Sequence, residues 1–203
     1  MRNRQNPPDN GSLNIPILLT ALRALLAPVV VLLSLFAPLP LAFAACLIAA
    51  LLSDIFDGVL ARRLGIATEN LRRLDSVADT LFYVACVFAA WHLYPAAINR
   101  HVESLASLIA LEVIRYIVDL LKFRREASYH MWSSKLWGVA LFVGFFSLLV
   151  FGSNGAAVSC AIYVGIAADI EGLVISFVLP RWRADVPTFV HALRLRRTER
   201  VRA

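Results

Sequence analysis

The chain has 203 residues, 60% of them hydrophobic and only 17% charged, with a mean hydropathy of +0.71. A soluble domain carries about a quarter charged residues, so this composition excludes disorder and argues against a water-soluble globule. The net charge of +6 rests on 18 arginines and 2 lysines, and where those arginines fall carries more information than their sum.

Residues 1–12 are polar and broken by proline and glycine, so no cleavable signal sequence is expected there. An apolar run then extends from Leu13 to Ala37, interrupted by Arg23. After Pro38 and Pro40 a second run reaches about Leu60, and a short basic segment leads to a third from Asp75 to Tyr94. The fourth covers Val102 to Leu121 and is followed by the basic linker KFRREASYHMWSSK. From Leu136 to Ala168 there are 33 residues without a charge, enough for two spans turned at Gly152-Ser-Asn-Gly155. The last span ends near Pro180, before a tail containing RLRRTERVR. At roughly 20 apolar residues per crossing, the chain reads as an all-α, polytopic membrane protein with six transmembrane helices. A polar segment (1–12) precedes a six-helix domain (13–180), and a basic tail (181–203) follows it.

The basic residues test that count. With six spans, both termini share a side with the second-to-third and fourth-to-fifth connections. Those segments hold 17 of the 20 basic residues, against Arg100 alone on the other side, with Arg23 and Arg115 inside spans. A bias of this kind places both termini in the cytoplasm. The tail lacks aromatic interleaving and follows a membrane helix directly, so contact with anionic headgroups is expected rather than nucleic-acid binding. Cys46, Cys86 and Cys160 form no CxxC pair and read as buried small hydrophobes. Trp91, Trp132, Trp137 and Trp182 fall at span ends, as interfacial anchors do.

Asp54 and Asp57 end the second span, and Asp75 and Asp79 begin the third. Acids in a bilayer centre cost roughly 2.5–3.5 kcal/mol each on insertion scales, less near the surface. Spacings of i,i+3 and i,i+4 put each pair on one helical face, and the short connection lets the two faces meet across an antiparallel helix pair. One reading is helix-end pairing of each acid with Arg62, Arg63, Arg72 or Arg73. The other, favoured when all four are taken together, is that hard divalent ions, Mg2+ or Mn2+, sit between the carboxylates, two ions sharing the cluster. Gly58 and Ala61 leave room for a ligand against the backbone, and Arg62 offers a planar fork matched to phosphate oxygens.

Asp54-Ile-Phe-Asp57-Gly58-Val-Leu-Ala61-Arg62, followed by Asp75-Ser-Val-Ala-Asp79, resembles the signature of the CDP-alcohol phosphotransferase (CDP-alcohol phosphatidyltransferase) family, D-x2-D-G-x2-A-R-x8-G-x3-D-x3-D. Seven of its eight fixed positions match, with Leu71 in place of the second glycine. Upstream, Asn14-Ile-Pro16-Ile-Leu-Leu-Thr20-Ala-Leu-Arg23 is similar to the N-I-P-N-x-L-T-x-x-R opening of the phosphatidyltransferase branch, with Ile17 at the second asparagine.

The resemblance implies an enzyme that takes a CDP-linked donor, usually CDP-diacylglycerol. It passes the phosphoryl-bearing part to an alcohol and releases CMP. It further implies that Asp54, Asp57, Asp75 and Asp79 hold two divalent metals, with Asp79 also the catalytic base for the acceptor hydroxyl. Gly58, Ala61 and Arg62 would contact the nucleotide and its diphosphate, and the protein would form a homodimer. Leu71 is expected to alter substrate fit rather than metal binding, because every acid is kept.

Glu112 and Arg115, three apart in the fourth span, read either as a local ion pair or, for Arg115 with Lys135, as an anionic acceptor-binding pocket. The second reading favours glycerol 3-phosphate or inositol phosphate as the small polar alcohol. Against a glycerol-phosphate acceptor, Thr80 stands where the glycerol-phosphate users often carry lysine. Asp169 and Glu171 lie part-way down the last span, where a structural link to Arg23 or Arg115 is expected. The competing functions are a cation transporter, which lacks any inverted repeat here, and a catalytically silent scaffold. The compact design points to a bacterial inner (plasma) membrane, with membrane lipids around the spans and the site at the cytoplasmic face.

Overall fold

The computed structural model describes the backbone of residues 10–64, 69–125, 129, 131–183 and 185–202, and side chains from 17–60, 73–125, 129, 131–183 and 185–197. Among the described residues all regular structure is helical. It comprises α1 (Asn10–Phe36), α2 (Pro40–Leu64), α3 (Glu69–Leu93), α4 (Pro95–Arg100), α5 (Val102–Phe123), α6 (Trp132–Phe151), α7 (Ala156–Val178) and α8 (Phe189–Arg202). Prolines open α2 and α4, at the one helical position where a missing N–H costs nothing. Gly152, at the C-terminal end of α6, takes φ +64, the left-handed conformation that glycine adopts without penalty. This is the turn the sequence places between the two uncharged spans. The sequence does not anticipate α4 or the helical form of the basic tail.

Five helical segments are long and apolar enough to cross a bilayer: Ile17–Phe36, Pro40–Leu60, Arg73–Leu93, Trp132–Phe151 and Ala156–Val178. Large apolar side chains such as Leu18, Leu25, Leu32, Val84, Val87 and Phe177 stand exposed along them, a surface that water would not tolerate and acyl chains would. The sixth expected span, α5, falls outside this set because it carries Glu103, Glu112, Arg115, Asp119 and Lys122.

The chain packs as two compact units, one of Met1–Pro95 with Leu148–Gly152, the other of Ala96–Ser147 with Ser153–Ala203. In the first, α1 packs extensively against both α2 and α3. The acidic faces of α2 and α3 meet as expected, with Asp54 and Asp57 of α2 close to Asp75 of α3. The core is built largely from small residues, Ala27, Ala44, Ala50, Ala78, Ala85, Ala89 and Ala90, with Phe43, Leu47 and Phe82 between them. Small side chains let helix backbones approach closely, the usual source of helix association in lipid. Cys46 and Cys86 are buried here as expected, whereas Cys160 on α7 is exposed.

In the second unit α5 and α8 both pack on α7. Lys122 Nζ donates to the carbonyls of Ser176 (2.8 Å) and Phe177 (3.1 Å) in the last turn of α7. Ser176 Oγ donates to Asp119 Oδ1 at 2.5 Å and shares a hydrogen bond with Tyr129 Oη at 3.3 Å. Asp119 and Lys122 of α5 are therefore tied to α7, while Ile109, Val113, Ile117 and Leu121 stay exposed. Trp137 is not a free interfacial anchor: a Cβ at Gly165 would meet its Nε1 at 2.5 Å, so the ring lies flush against α7. Glu171 Oε1 accepts from the Phe189 N–H at 3.1 Å, an acid placed at the positive end of α8. Tyr129, Met131, Ile175, Leu179, Val186 and Ala192 close the core beneath that helix. Burial holds the Tyr129 phenol above its ordinary pKa, against the opposing hydrogen bond from Ser176.

Candidate active site

The site grows from helical periodicity. Spacing i,i+3 on α2 brings Asp54 and Asp57 to one face, and spacing i,i+4 on α3 does the same for Asp75 and Asp79. Packing of both helices on α1 then directs all four carboxylates at one side chain, Arg23. Arg23 Nη2 donates to Asp57 Oδ2 at 2.6 Å, and Nη1 to Asp75 Oδ1 at 3.0 Å. The same Nη1 pairs with Asp54 Oδ1 at 3.3 Å and donates to Asp79 Oδ1. Arg23 Nε donates to Ser53 Oγ at 3.3 Å, and that hydroxyl is itself tied to the Ala50 carbonyl at 2.8 Å.

Burial is graded across the cluster. Arg23 is 1% exposed and the Asp57 side chain 6%, whereas those of Asp75 and Asp79 are 32% and 36% exposed and that of Asp54 49%. The guanidinium and Asp57 thus form the floor, and the other acids face an opening. Four carboxylates around one guanidinium leave a formal surplus of three negative charges (four minus one). Oxygens of Asp54, Asp57 and Asp75 all lie within 4.8 Å of one another. A donor set of hard carboxylate oxygens with surplus negative charge suits a divalent ion such as Mg2+ or Mn2+, so the residues present fit a metal. Ions held there would supply what phosphoryl transfer needs, positive charge beside a leaving phosphate.

The model of the CDP-alcohol phosphatidyltransferase family matches residues 13–176, most of the chain. The protein belongs to that family. No curated protein and no solved structure matches it. Membership of the CDP-alcohol phosphatidyltransferases makes it a multi-pass membrane transferase that moves a phosphatidyl group from a CDP-alcohol.

The remaining expected site residues divide by place. Gly58 is half-buried on α2 directly after Asp57. The side chains of Ala61, Arg62 and Leu71 lie outside the described residues, as do those of Arg63 and Arg72. Arg115 and Lys135 belong to the second unit. Arg115 Nη2 donates to Glu112 Oε1 at 2.5 Å, and its Nε faces Asp169 Oδ1 at 3.2 Å. The local ion pair expected of Glu112 is thus present, and the link expected of Asp169 goes to Arg115 and not to Arg23. Lys135 is exposed on α6, its ammonium 4.7 Å from the centre of the Trp132 ring, a cation–π contact.

Sequence reasoning offered Arg23 as a partner for Asp169 or Glu171, and missed its place among the four aspartates. A signal for it existed. A lone arginine in an apolar run requires an acidic partner, and Asp54, Asp57, Asp75 and Asp79 are acids placed in or beside the next two apolar runs of the chain.

Proposed function

We propose that this family member is a divalent-metal-dependent enzyme of phospholipid synthesis. It transfers the phosphatidyl group of CDP-diacylglycerol to a small polar alcohol and releases CMP. The observation that supports this most is the convergence of Asp54, Asp57, Asp75 and Asp79 at one opening, in a family that transfers phosphatidyl groups. Asp54, Asp57, Asp75 and Asp79 are the residues to hold two ions, Mg2+ or Mn2+. Bound there, such ions would neutralise charge on the donor diphosphate.

The chain's own residues then have defined tasks. Gly58 and Ala61 leave the α2 backbone open to the nucleotide, and the Arg62 fork takes diphosphate oxygens. Asp79 accepts the proton of the acceptor hydroxyl as its oxygen bonds to phosphorus and the bond to CMP breaks. Arg115 and Lys135 are the acceptor-side candidates. Two carboxylates already engage Arg115, which favours an uncharged alcohol over a phosphorylated one.

The topology of the proposal has α5 as the sixth crossing, its Asp119 and Lys122 tied to α7, with both termini in the cytoplasm. The arginine distribution supports this orientation. The setting is a bacterial inner (plasma) membrane and the assembly a homodimer; no nucleic acid is involved. The test is CMP release by purified protein supplied with radiolabelled CDP-diacylglycerol, an acceptor panel (serine, inositol, inositol phosphate, glycerol 3-phosphate), and Mg2+, Mn2+ or EDTA. Metal-dependent CMP formation with one acceptor is expected. Donor binding without turnover over every acceptor would mark a silent scaffold, and cation flux in vesicles without CMP release would mark a transporter.

A further inference from the structure

Arg23 presents an unusual combination. It is fully buried in the apolar body of α1, and each of its three nitrogens is engaged. Among the described residues, every charged partner it has is one of the four aspartates proposed to hold metal. Unpaired carboxylates in a low-dielectric setting are costly, so a positive charge has to be present among them before any ion arrives. The guanidinium meets that need from a third helix, with Ser53 fixing its Nε end. It also engages the same carboxylates that a divalent ion would use, and places a positive charge within about 3 Å of them, where repulsion of an incoming cation is strong.

We infer that Arg23 is a built-in counter-ion for the aspartate cluster: it holds the acids together before metal enters and competes with divalent ions for them, so that it sets the metal affinity of the site. The inference rests on the metal-site reading above. Arg23 is by this account a positioning residue that acts through the aspartates. Its fork geometry matters because one planar group reaches α2 and α3 together through separate nitrogens, which the single ammonium of a lysine does less well.

The experiment is a Mn2+ titration followed by electron paramagnetic resonance, on detergent-purified wild type, Arg23→Gln and Arg23→Lys, paired with thermal unfolding in EDTA and in saturating Mn2+. Removing the charge in Arg23→Gln is expected to tighten Mn2+ binding by about tenfold or more, the direction Coulomb repulsion dictates. The same variant should melt below wild type in EDTA, and saturating Mn2+ should narrow that gap. Arg23→Lys, which keeps the charge and loses the fork, should fall between the two in both readouts. A merely structural arginine would lower stability without tightening metal binding. Should Arg23→Gln fail to fold, Arg23→Lys decides: tighter Mn2+ binding than wild type upholds the inference, and equal or weaker binding overturns it. Wild type that binds Mn2+ while neither variant binds it more tightly overturns the role of Arg23 and leaves the metal site standing. If none of the three proteins binds Mn2+, the metal site fails and the inference fails with it.

Discussion

Arg115 of α5 and Asp169 of α7 face each other, Nε to Oδ1, at 3.2 Å, and the same guanidinium donates to Glu112 one turn back at 2.5 Å. One cation here serves two acids, of which Asp169 is buried and Glu112 is not. The consequence is an asymmetry between partners. Arg115→Met leaves two carboxylates facing each other uncompensated, and breaking a buried pair in this way costs about 3–5 kcal/mol. Asp169→Asn leaves the guanidinium still paired to Glu112 and should cost clearly less. Thermal unfolding of the detergent-purified proteins checks the order, wild type above Asp169→Asn above Arg115→Met. Equal losses from both substitutions would show that Glu112 does not share the charge.

The glycines of the second unit divide into those that neighbours crowd and those that nothing touches. A Cβ at Gly165 would lie 2.5 Å from Trp137 Nε1 and 2.9 Å from Leu108 Cδ1, whereas one at Gly138 meets nothing within 4 Å. Overpacking costs about 1–3 kcal/mol, and helix propensity returns about 1 kcal/mol for glycine to alanine. Gly165→Ala should therefore lower the melting temperature, and Gly138→Ala should leave it unchanged or raise it. A melting temperature for Gly165→Ala at or above that of Gly138→Ala would mean that α6 can move away from α7.

Those two sites also show what the sequence could and could not convey. The apolar runs, the glycine turn at 152–155 and the paired aspartates were legible because each follows from local spacing: about 20 residues to a crossing, and i,i+3 or i,i+4 to a helical face. The partner of the aspartates was not, since it comes from a helix some thirty residues upstream of Asp54 and depends on α1 packing against both α2 and α3. The acids of the last span were legible only as expensive. That Glu171 receives the N-terminus of α8 depends on how the chain returns after Pro180, and no periodicity encodes that. Likewise α5 carries more charge than an ordinary span, and α7 answers its Asp119 and Lys122, a fact of packing and not of composition.

Asp57 is the most buried of the four acids and lies beside Arg23 at the floor of the cluster. If the carboxylates hold divalent ions, EDTA should abolish CMP release, and added Mg2+ or Mn2+ should restore it. Asp57→Asn should weaken Mn2+ binding by about tenfold or more, as loss of a charged ligand does. Mn2+ binding measured beside turnover separates a metal defect from a folding defect. Full activity in EDTA after exhaustive dialysis would remove the metal from the mechanism.

Asp79 stands last in the acidic series and is 36% exposed, open to an incoming hydroxyl in a way that Asp57 is not. As the proposed base it has a task separate from holding charge, and the two can be pulled apart experimentally. General-base catalysis contributes about 10²–10⁴-fold, so Asp79→Asn should lower the rate of acceptor-dependent CMP release by that factor or more. Asp79→Glu, which keeps a carboxylate at altered reach, should recover part of the rate, as a purely packing role would not require. The unfolding temperature should change little, since Arg23 keeps Asp54, Asp57 and Asp75 as partners. Near-normal turnover by Asp79→Asn would take the proton-accepting role away from this residue while leaving it among the ligands of the cluster.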